Sequence, residues 1–260
     1  MSSAYIHDFM KEISSIHNPL IKETVRLHKK ENAMAHNLCL VEGKRCIEAF
    51  LLSKCEVKHI FVTPEHINWA KERCSAHNII GITENVSKKL SSLSTSSGVI
   101  ALFTQPSTKH PSLISDGIVL ANVCNPGNMG ALIRTATALD KSIIIIEGAY
   151  LYNQKVIQAS AGTLAHAKIF KMSWQELLTY KKNLPLAALV AHNGTAITEL
   201  DPHVPRLLII GNEAHGLPTD WENVCDEHIT LPMPGTAESL NAAIAGSIGL
   251  YYLNITSIKK

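Results

Sequence analysis

Short runs of aliphatic and β-branched residues alternate with stretches of helical periodicity along almost the whole chain. This alternation constrains the fold more than any other feature. Past residue 112, strands are expected near Ile118 to Val123, Ser142 to Glu147, Leu186 to Ala191, Leu207 to Gly211 and His228 to Leu231. Helices near 129–139, 153–161, 173–182, 217–224 and 237–253 fill the gaps. Before residue 104, β-type runs at Leu38 to Val41, Val57 to Val62, Ile79 to Ile82 and Val99 to Phe103 alternate with helical patterns near 44–53, 65–76 and 84–91. A helix from Pro19 to Lys30 precedes them, with Asn18 as N-cap and Pro19 at the first helical position. Strands and helices in this order build α/β domains. Between the two regions, the polar segment Thr104 to Ser112 carries Pro106 and Pro111 and reads as a linker. The expected organisation is an N-terminal domain over 1–105, a linker over 106–112 and a second domain over 113–260.

With 260 residues, 46% hydrophobic and 18% charged, the chain can bury one large core or two smaller ones, which excludes disorder as its main state. Runs such as Ile143 to Ile146 and Leu207 to Ile210 are far shorter than the roughly 18 residues of a membrane span. Asp8 and the lack of an apolar core near the N-terminus speak against an export signal. Cys39, Cys46, Cys55, Cys74, Cys124 and Cys225 form no C-x-x-C pair, so reduced thiols in a cytoplasm are expected. The net charge of +2 is too small to announce nucleic acid, but residues 1–111 hold 14 Lys and Arg against 10 Asp and Glu, which leaves the second region net acidic.

Three polar, glycine-bearing segments follow expected strands of the second region, where open α/β sheets place their ligand crevice. They are Asn122 to Gly130, running into a helix that carries Arg134; Gly211 to Pro218; and Leu231 to Asn241, entering the last helix. Asn, Gly and Pro make turns and caps without catalysis, yet three such loops at strand ends of one domain are the usual carriers of binding groups. Familiar alternatives fail on the letters. No G-x-G-x-x-G or P-loop motif occurs, no H-E-x-x-H or paired-cysteine metal spacing, and no G-x-S-x-G around Ser160, Ser239 or Ser247.

In order, the segments resemble the signature of the SpoU/TrmH family of RNA ribose 2′-O-methyltransferases. Asn125, Pro126, Asn128, Gly130, Arg134 and Ala136 match N-P-x-N-x-G-x-x-x-R-x-A, and Gly211, Asn212, Glu213, Gly216 and Leu217 match G-N-E-x-x-G-L. Pro232, Met233, Gly235, Ser239, Leu240 and Asn241 match P-M-x-G-x-x-x-S-L-N, and Lys155 to Gly162 is similar to K-V-x-x-A-S-x-G. Ser15 to Lys22, Val41 to Arg45 and Ser97 to Val99 resemble the RNA-binding domain of rRNA-modifying members. Asn125 stands where many members have Asp, and Ala242 and Ala243 stand where Val-Ser is common.

The resemblance implies a small N-terminal L30e-like α/β domain and a C-terminal α/β-knot methyltransferase domain with a trefoil knot and a mostly parallel sheet. It also implies S-adenosylmethionine as cofactor, a homodimer whose active site borrows from the partner, and no metal. Arg134 is the implied catalytic residue. A guanidinium keeps its proton at pH 7, so stabilising a developing alkoxide suits it better than acting as base. Asn128, Glu213, Ser239 and Asn241 would orient ribose, arginine and cofactor, with Glu213 pairing with Arg134. The cofactor cradle would be Gly211, Asn212, Glu213, Gly216, Leu231, Met233, Ser239 and Leu240. Lys22, Arg26, Lys29 and Lys30 recur at helical spacing and, joined by Lys44 and Arg45, form a basic face suited to RNA phosphates. The expected substrate is 23S ribosomal RNA. Alternatives are transfer RNA, a silent RNA-binding or ribosome-assembly factor on the same fold, and a small-molecule α/β enzyme using a nucleotide.

Overall fold

The computed structural model describes residues 11–53, 55–237 and 239–254. The reading of the N-terminus around Asp8, and Glu238 within the third segment and the expected last helix, lie outside them. The chain divides into two compact units. One covers residues up to Pro106 with Tyr152–Gln154, the other Ser107–Leu151 and Lys155 onward.

The first unit runs β1 (Lys11–Ile13), α1 (Pro19–Arg26), α2 (Lys30–His36), β2 (Leu38–Glu42), α3 (Lys44–Leu52), β3 (Val57–Val62), α4 (Ile67–Lys71), β4 (Ile79–Ile82), α5 (Glu84–Leu90) and β5 (Val99–Thr104). Its five strands lie in the order β1-β4-β3-β5-β2, with β5 antiparallel to both neighbours and the other pairs parallel. Asn18 starts α1, its side chain accepting the Leu20 N–H at 2.9 Å. The expected continuous helix to Lys30 is instead two helices. α1 ends at Arg26, whose carbonyl accepts the Asn32 side-chain amide at 3.0 Å, and Lys29 is extended where it caps α2. Glu42 ends β2 as a buried carboxylate and accepts from the Ser91 hydroxyl at 2.7 Å and the Ser97 N–H at 3.1 Å. This bond joins the Val41 to Arg45 and Ser97 to Val99 segments. Gly98 follows in the left-handed region, φ 71°, where a Cβ would stand 2.6 Å from Thr63 Oγ1.

The second unit runs β6 (Gly117–Ala121), α6 (Pro126–Ala138), β7 (Ser142–Ile146), α7 (Gln154–Ala159), β8 (Lys168–Lys171), α8 (Trp174–Tyr180), β9 (Leu186–Leu189), β10 (Thr195–Ala196), β11 (Leu207–Ile210), α9 (Thr219–Glu222), β12 (Glu227–Thr230) and α10 (Ala242–Tyr252). Its seven strands are parallel throughout, in the order β10-β12-β9-β11-β6-β7-β8. β6, β7 and β11 are buried along their whole length, so their sequences read as unbroken apolar runs with no polar face. On one face Val119, Ile144, Phe170, Leu177, Leu207 and Ile209 form the core, extended by Trp174, which stacks on Trp221 with centroids 4.7 Å apart. Strand order reverses beside β6, so the carboxyl ends of β6, β9, β11 and β12 open a crevice at a topological switch point.

The last helix begins later than the expected residue 237. Asn241 caps it, its Oδ1 accepting the N–H groups of Ala243 at 2.9 Å and Ile244 at 3.3 Å. α10 packs closely through Gly246, where a Cβ would stand 2.7 Å from Leu132 and 3.0 Å from Ile210. It buries Ala243, Gly246, Gly249 and Leu250 but leaves Ile244, Ile248 and Tyr251 about half exposed, so one side of this apolar helix is uncovered among the described residues. Among the described residues no helix is long and apolar enough to cross a membrane, and the six cysteines are free thiols.

Candidate active site

The loops leaving β6 and β11 meet at one carboxylate, and the loop leaving β12 joins them through Asn128. Glu213 accepts through Oε2 from the Cys124 N–H at 3.2 Å and through Oε1 from the Asn125 N–H at 3.1 Å and the Asn128 side-chain amide at 3.0 Å. Asn128 passes the connection on, because its Oδ1 accepts from the Asn241 amide at 3.0 Å. Asn125 holds the other side of this turn by capping α6, its Oδ1 accepting from Gly127 at 2.8 Å and Asn128 at 3.2 Å. This capping uses only the side-chain oxygen, so Asn125 fills it without a carboxylate. A second tie runs from the Asn212 amide to the Asn122 carbonyl at 3.1 Å.

Partial burial pushes the Glu213 carboxyl up, but the hydrogen bonds from Asn128, Asn125 and Cys124, with its own N–H, outweigh this and leave it below its ordinary value. It is therefore ionised at neutral pH. The expected pairing of Glu213 with Arg134 does not form. Glu213 is taken up by the Asn125–Asn128 turn, while Arg134 lies farther along α6, exposed, its guanidinium with no hydrogen bond or ion pair among the described residues.

The backbone of the second segment is folded back on itself. Asn212 and Gly216 exchange N–H···O bonds at 2.9 Å, the Asn212 side chain accepts from Ala214 and His215, and Gly216 takes a φ of 69°. A Cβ on Gly211 would stand 2.6 Å from the Gly216 carbonyl carbon and 2.7 Å from the Leu217 nitrogen, so the loop closes only over glycine. The fourth motif is explained by packing. A Cβ on Gly130 would meet Ala159 at 2.5 Å and the Val156 carbonyl at 2.6 Å, and the Ser160 hydroxyl is buried and donates to Ile157.

These loops enclose a cavity of about 490 Å³. All eight residues expected to cradle the cofactor line it: Gly211, Asn212, Glu213, Gly216, Leu231, Met233, Ser239 and Leu240. Sequence reading missed the end of β9 at Leu189, Val190 and Ala191, together with Glu222 and Ala245. The one signal available for the β9 end was that it is a further strand-to-loop exit on the same sheet edge. An adjoining cavity is bounded by Cys124, Asn125, Asn128, Glu213, Ser239 and Asn241, and Ser239 and Glu213 line both. Arg134 lines neither. Among the described residues no group of three or more His, Cys, Asp or Glu is placed to hold a metal ion.

The six basic residues expected to meet RNA are all exposed, but they do not share one helix face. Lys22 and Arg26 lie on α1, Lys29 and Lys30 at the start of α2, and Lys44 and Arg45 open α3. The break at Arg26 is what separates them. Lys44 stands over the Trp69 ring at 5.8 Å, with Arg73 on the same ring at 5.0 Å.

Residues 117–251 match the SpoU rRNA Methylase family, and residues 18–101 match the MRM3-like substrate binding domain. A Bacillus subtilis protein named 23S rRNA (guanosine(2553)-2′-O)-methyltransferase RlmP is 27% identical over 94% of this chain and 99% of its own length. A solved RNA 2′-O ribose methyltransferase is 29% identical and superimposes with a TM-score of 0.82 over 95% of this chain and 99% of that one. The S-adenosylmethionine-bound rRNA methyltransferase of Sinorhizobium meliloti, 22% identical, shares the fold with a TM-score of 0.85 over 96% of this chain and 99% of its own. Since the family match takes in all three loops joined through Glu213 and Asn128, together with the sheet that carries them, this chain belongs to the SpoU rRNA methylase family.

Proposed function

We propose that this protein transfers a methyl group from S-adenosylmethionine to a ribose 2′-hydroxyl of 23S ribosomal RNA. The observation that carries the reading is the joining of three loops by Glu213, Asn128 and Asn241 beside a cavity lined by all eight expected cofactor residues. The residues present fit the cofactor. A cavity of about 490 Å³ lies in the range of small-ligand sites, its Leu231, Met233 and Leu240 suit an adenine face, and backbone groups around Gly211 and Leu231 suit its edge. When bound, the cofactor supplies an electrophilic methyl on a sulfonium.

The chain's own residues do the rest. Ser239 borders both cavities and Asn241 the adjoining one, where the two would orient the ribose. Glu213 and Asn128 hold those loops in register. Arg134 places a permanent positive charge for the oxyanion that forms as the 2′-hydroxyl loses its proton. Its exposure and its position outside its own chain's cavities support supply to the partner subunit of a homodimer, and the uncovered Ile244, Ile248 and Tyr251 of α10 support an interface there. In this reading residues 1–105 select the RNA through Lys22, Arg26, Lys29, Lys30, Lys44 and Arg45, while residues 113–260 carry a trefoil knot and bind the cofactor. The protein works in the cytoplasm, where its free thiols and its substrate belong.

The test is transfer of labelled methyl to 23S rRNA from cells lacking the gene, with the modified nucleotide mapped. Methylation is expected to vanish when that nucleotide is 2′-deoxy and to survive chelator. A mark that persists on the deoxy substrate lies on a base and overturns the reading.

A further inference from the structure

A second cavity, of about 410 Å³, lies wholly within the first unit, between α1, α2 and the β2, β5 and β3 strands. Leu27, Leu38 and Leu102 make it apolar, and His59 enters from β3. The His59 imidazole is half-buried, and its Nδ1 is sealed from water with no hydrogen-bond partner among the described residues. Buried polar atoms without partners are rare enough in folded proteins to need a reason. Burial, helped by Lys11 and Lys58, lowers the His59 pKa below its ordinary value, so the ring is neutral at pH 7 and offers one donor and one acceptor. Glu23 and Arg26, both exposed on α1, also line the cavity. Lys22 lies one turn before Arg26 on the same helix face.

We propose that this cavity receives one unstacked base of the RNA substrate, at a nucleotide other than the one methylated. The inference rests on the function proposed above and adds to it where sequence selection is made. A largely apolar slot lined by His59 and His36 takes the face of a base, and a rotation of the His59 ring into the slot gives Nδ1 a partner on the base edge. Glu23 accepts from a base N–H, and Arg26 with Lys22 meets the flanking phosphates. Single-stranded RNA is read in this way, by splaying out a base against a ring and bonding its edge. Arg26 on the rim and Lys22 one turn away favour a polyanion over a lipid chain, which also offers His59 no hydrogen bond.

The experiment uses the full-length protein and 23S rRNA carrying 4-thiouridine or 6-thioguanosine at random positions, irradiated in the complex. Cross-links are expected on the peptides bearing Leu27 and His59, from an unpaired nucleotide distinct from the methylated one. Replacing that nucleotide by an abasic one should weaken binding about tenfold, in keeping with the value of one stacked base. His59→Leu should weaken binding to the same degree and remove the abasic effect, while the far-UV circular dichroism and thermal midpoint of the full-length protein stay at the wild-type values and report an intact fold. Arg26→Gln, at an exposed position, gives a second variant with the same expected direction. Wild-type RNA affinity in both variants, or cross-links that avoid these peptides, would overturn the inference. Because these readouts follow binding, they are separate from the methyl-transfer assay, whose failure would instead sink the proposed reaction.

Discussion

Asn128 donates its side-chain amide to Glu213 Oε1 at 3.0 Å across 85 residues of chain, which fixes the first turn of α6 to the loop beyond β11. The same side chain accepts from Asn241, so one residue aligns the start of α6 with the start of α10. Asn128→Ala removes one of three donors from Glu213 and the acceptor of the Asn241 amide, at a cost of about 1–3 kcal/mol in all. Single-turnover methyl transfer is expected to fall about 10- to 100-fold. Because both residues serve one connection, Asn128→Ala combined with Asn241→Ala should cost less than the two separate losses added together. Strict additivity would mean that the relay does not act as a unit.

Glu213 titrates below its ordinary value in the folded protein. A depressed carboxyl contributes stability that is fully present above its unfolded pKa of about 4.3 and is lost as pH falls through the folded value. Thermal midpoints should therefore fall with acidification below about pH 5 more steeply in the wild type than in Glu213→Gln, which has no charge to lose. Parallel curves would remove Glu213 from the acid response.

Gly211→Ala puts a Cβ against the backbone of Gly216 and Leu217, neither of which can rotate away. The loop that lines the cofactor cavity must shift. Calorimetric titration with S-adenosylmethionine should show affinity reduced by about tenfold or more, matching a strain of about 1–3 kcal/mol. Unchanged affinity would place the cofactor elsewhere.

Arg134 is exposed and unpaired among the described residues, so Arg134→Ala should change stability by less than about 0.5 kcal/mol. Turnover should nevertheless fall by about two to three orders of magnitude, the usual effect of deleting one electrostatic stabiliser. Lysine should restore little of it, since a point charge lacks the guanidinium fork. If the arginine serves the partner's site, mixing Arg134→Ala with Gly211→Ala, at a cofactor concentration too low to fill the Gly211→Ala site, should recover about a quarter of wild-type activity through mixed dimers. No recovery would place Arg134 in its own chain's site.

Reversing the charge of Lys29 and Lys30 should weaken rRNA binding across sequences and lower the salt dependence by roughly one unit of slope for each phosphate that is no longer neutralised. Cofactor affinity should not move. An unchanged slope would take the start of α2 out of the RNA surface.

Strands β6, β7 and β11 were legible because burial on both faces demands unbroken apolar runs, which few other structures tolerate. The polar loops after β6, β11 and β12 were legible as a set, because their Asn and Gly residues serve caps and tight turns whose chemistry is local. β1 and β8 were not. Lys11–Ile13 and Lys168–Lys171 are short and carry lysines, and they form strands only because β4 and β7 offer open edges to pair with. The split of the first helix depends on the Asn32 side chain reaching the Arg26 carbonyl, and the start of α10 on the side chain of Asn241. The family resemblance carried by the sequence motifs marked Glu213, Asn128 and Arg134 as chemical residues. Only the tertiary structure decided that Glu213 goes to Asn128 rather than to Arg134, because a carboxylate takes the donors that packing brings to 3.0–3.2 Å, and those lie in a turn 85 to 89 residues away.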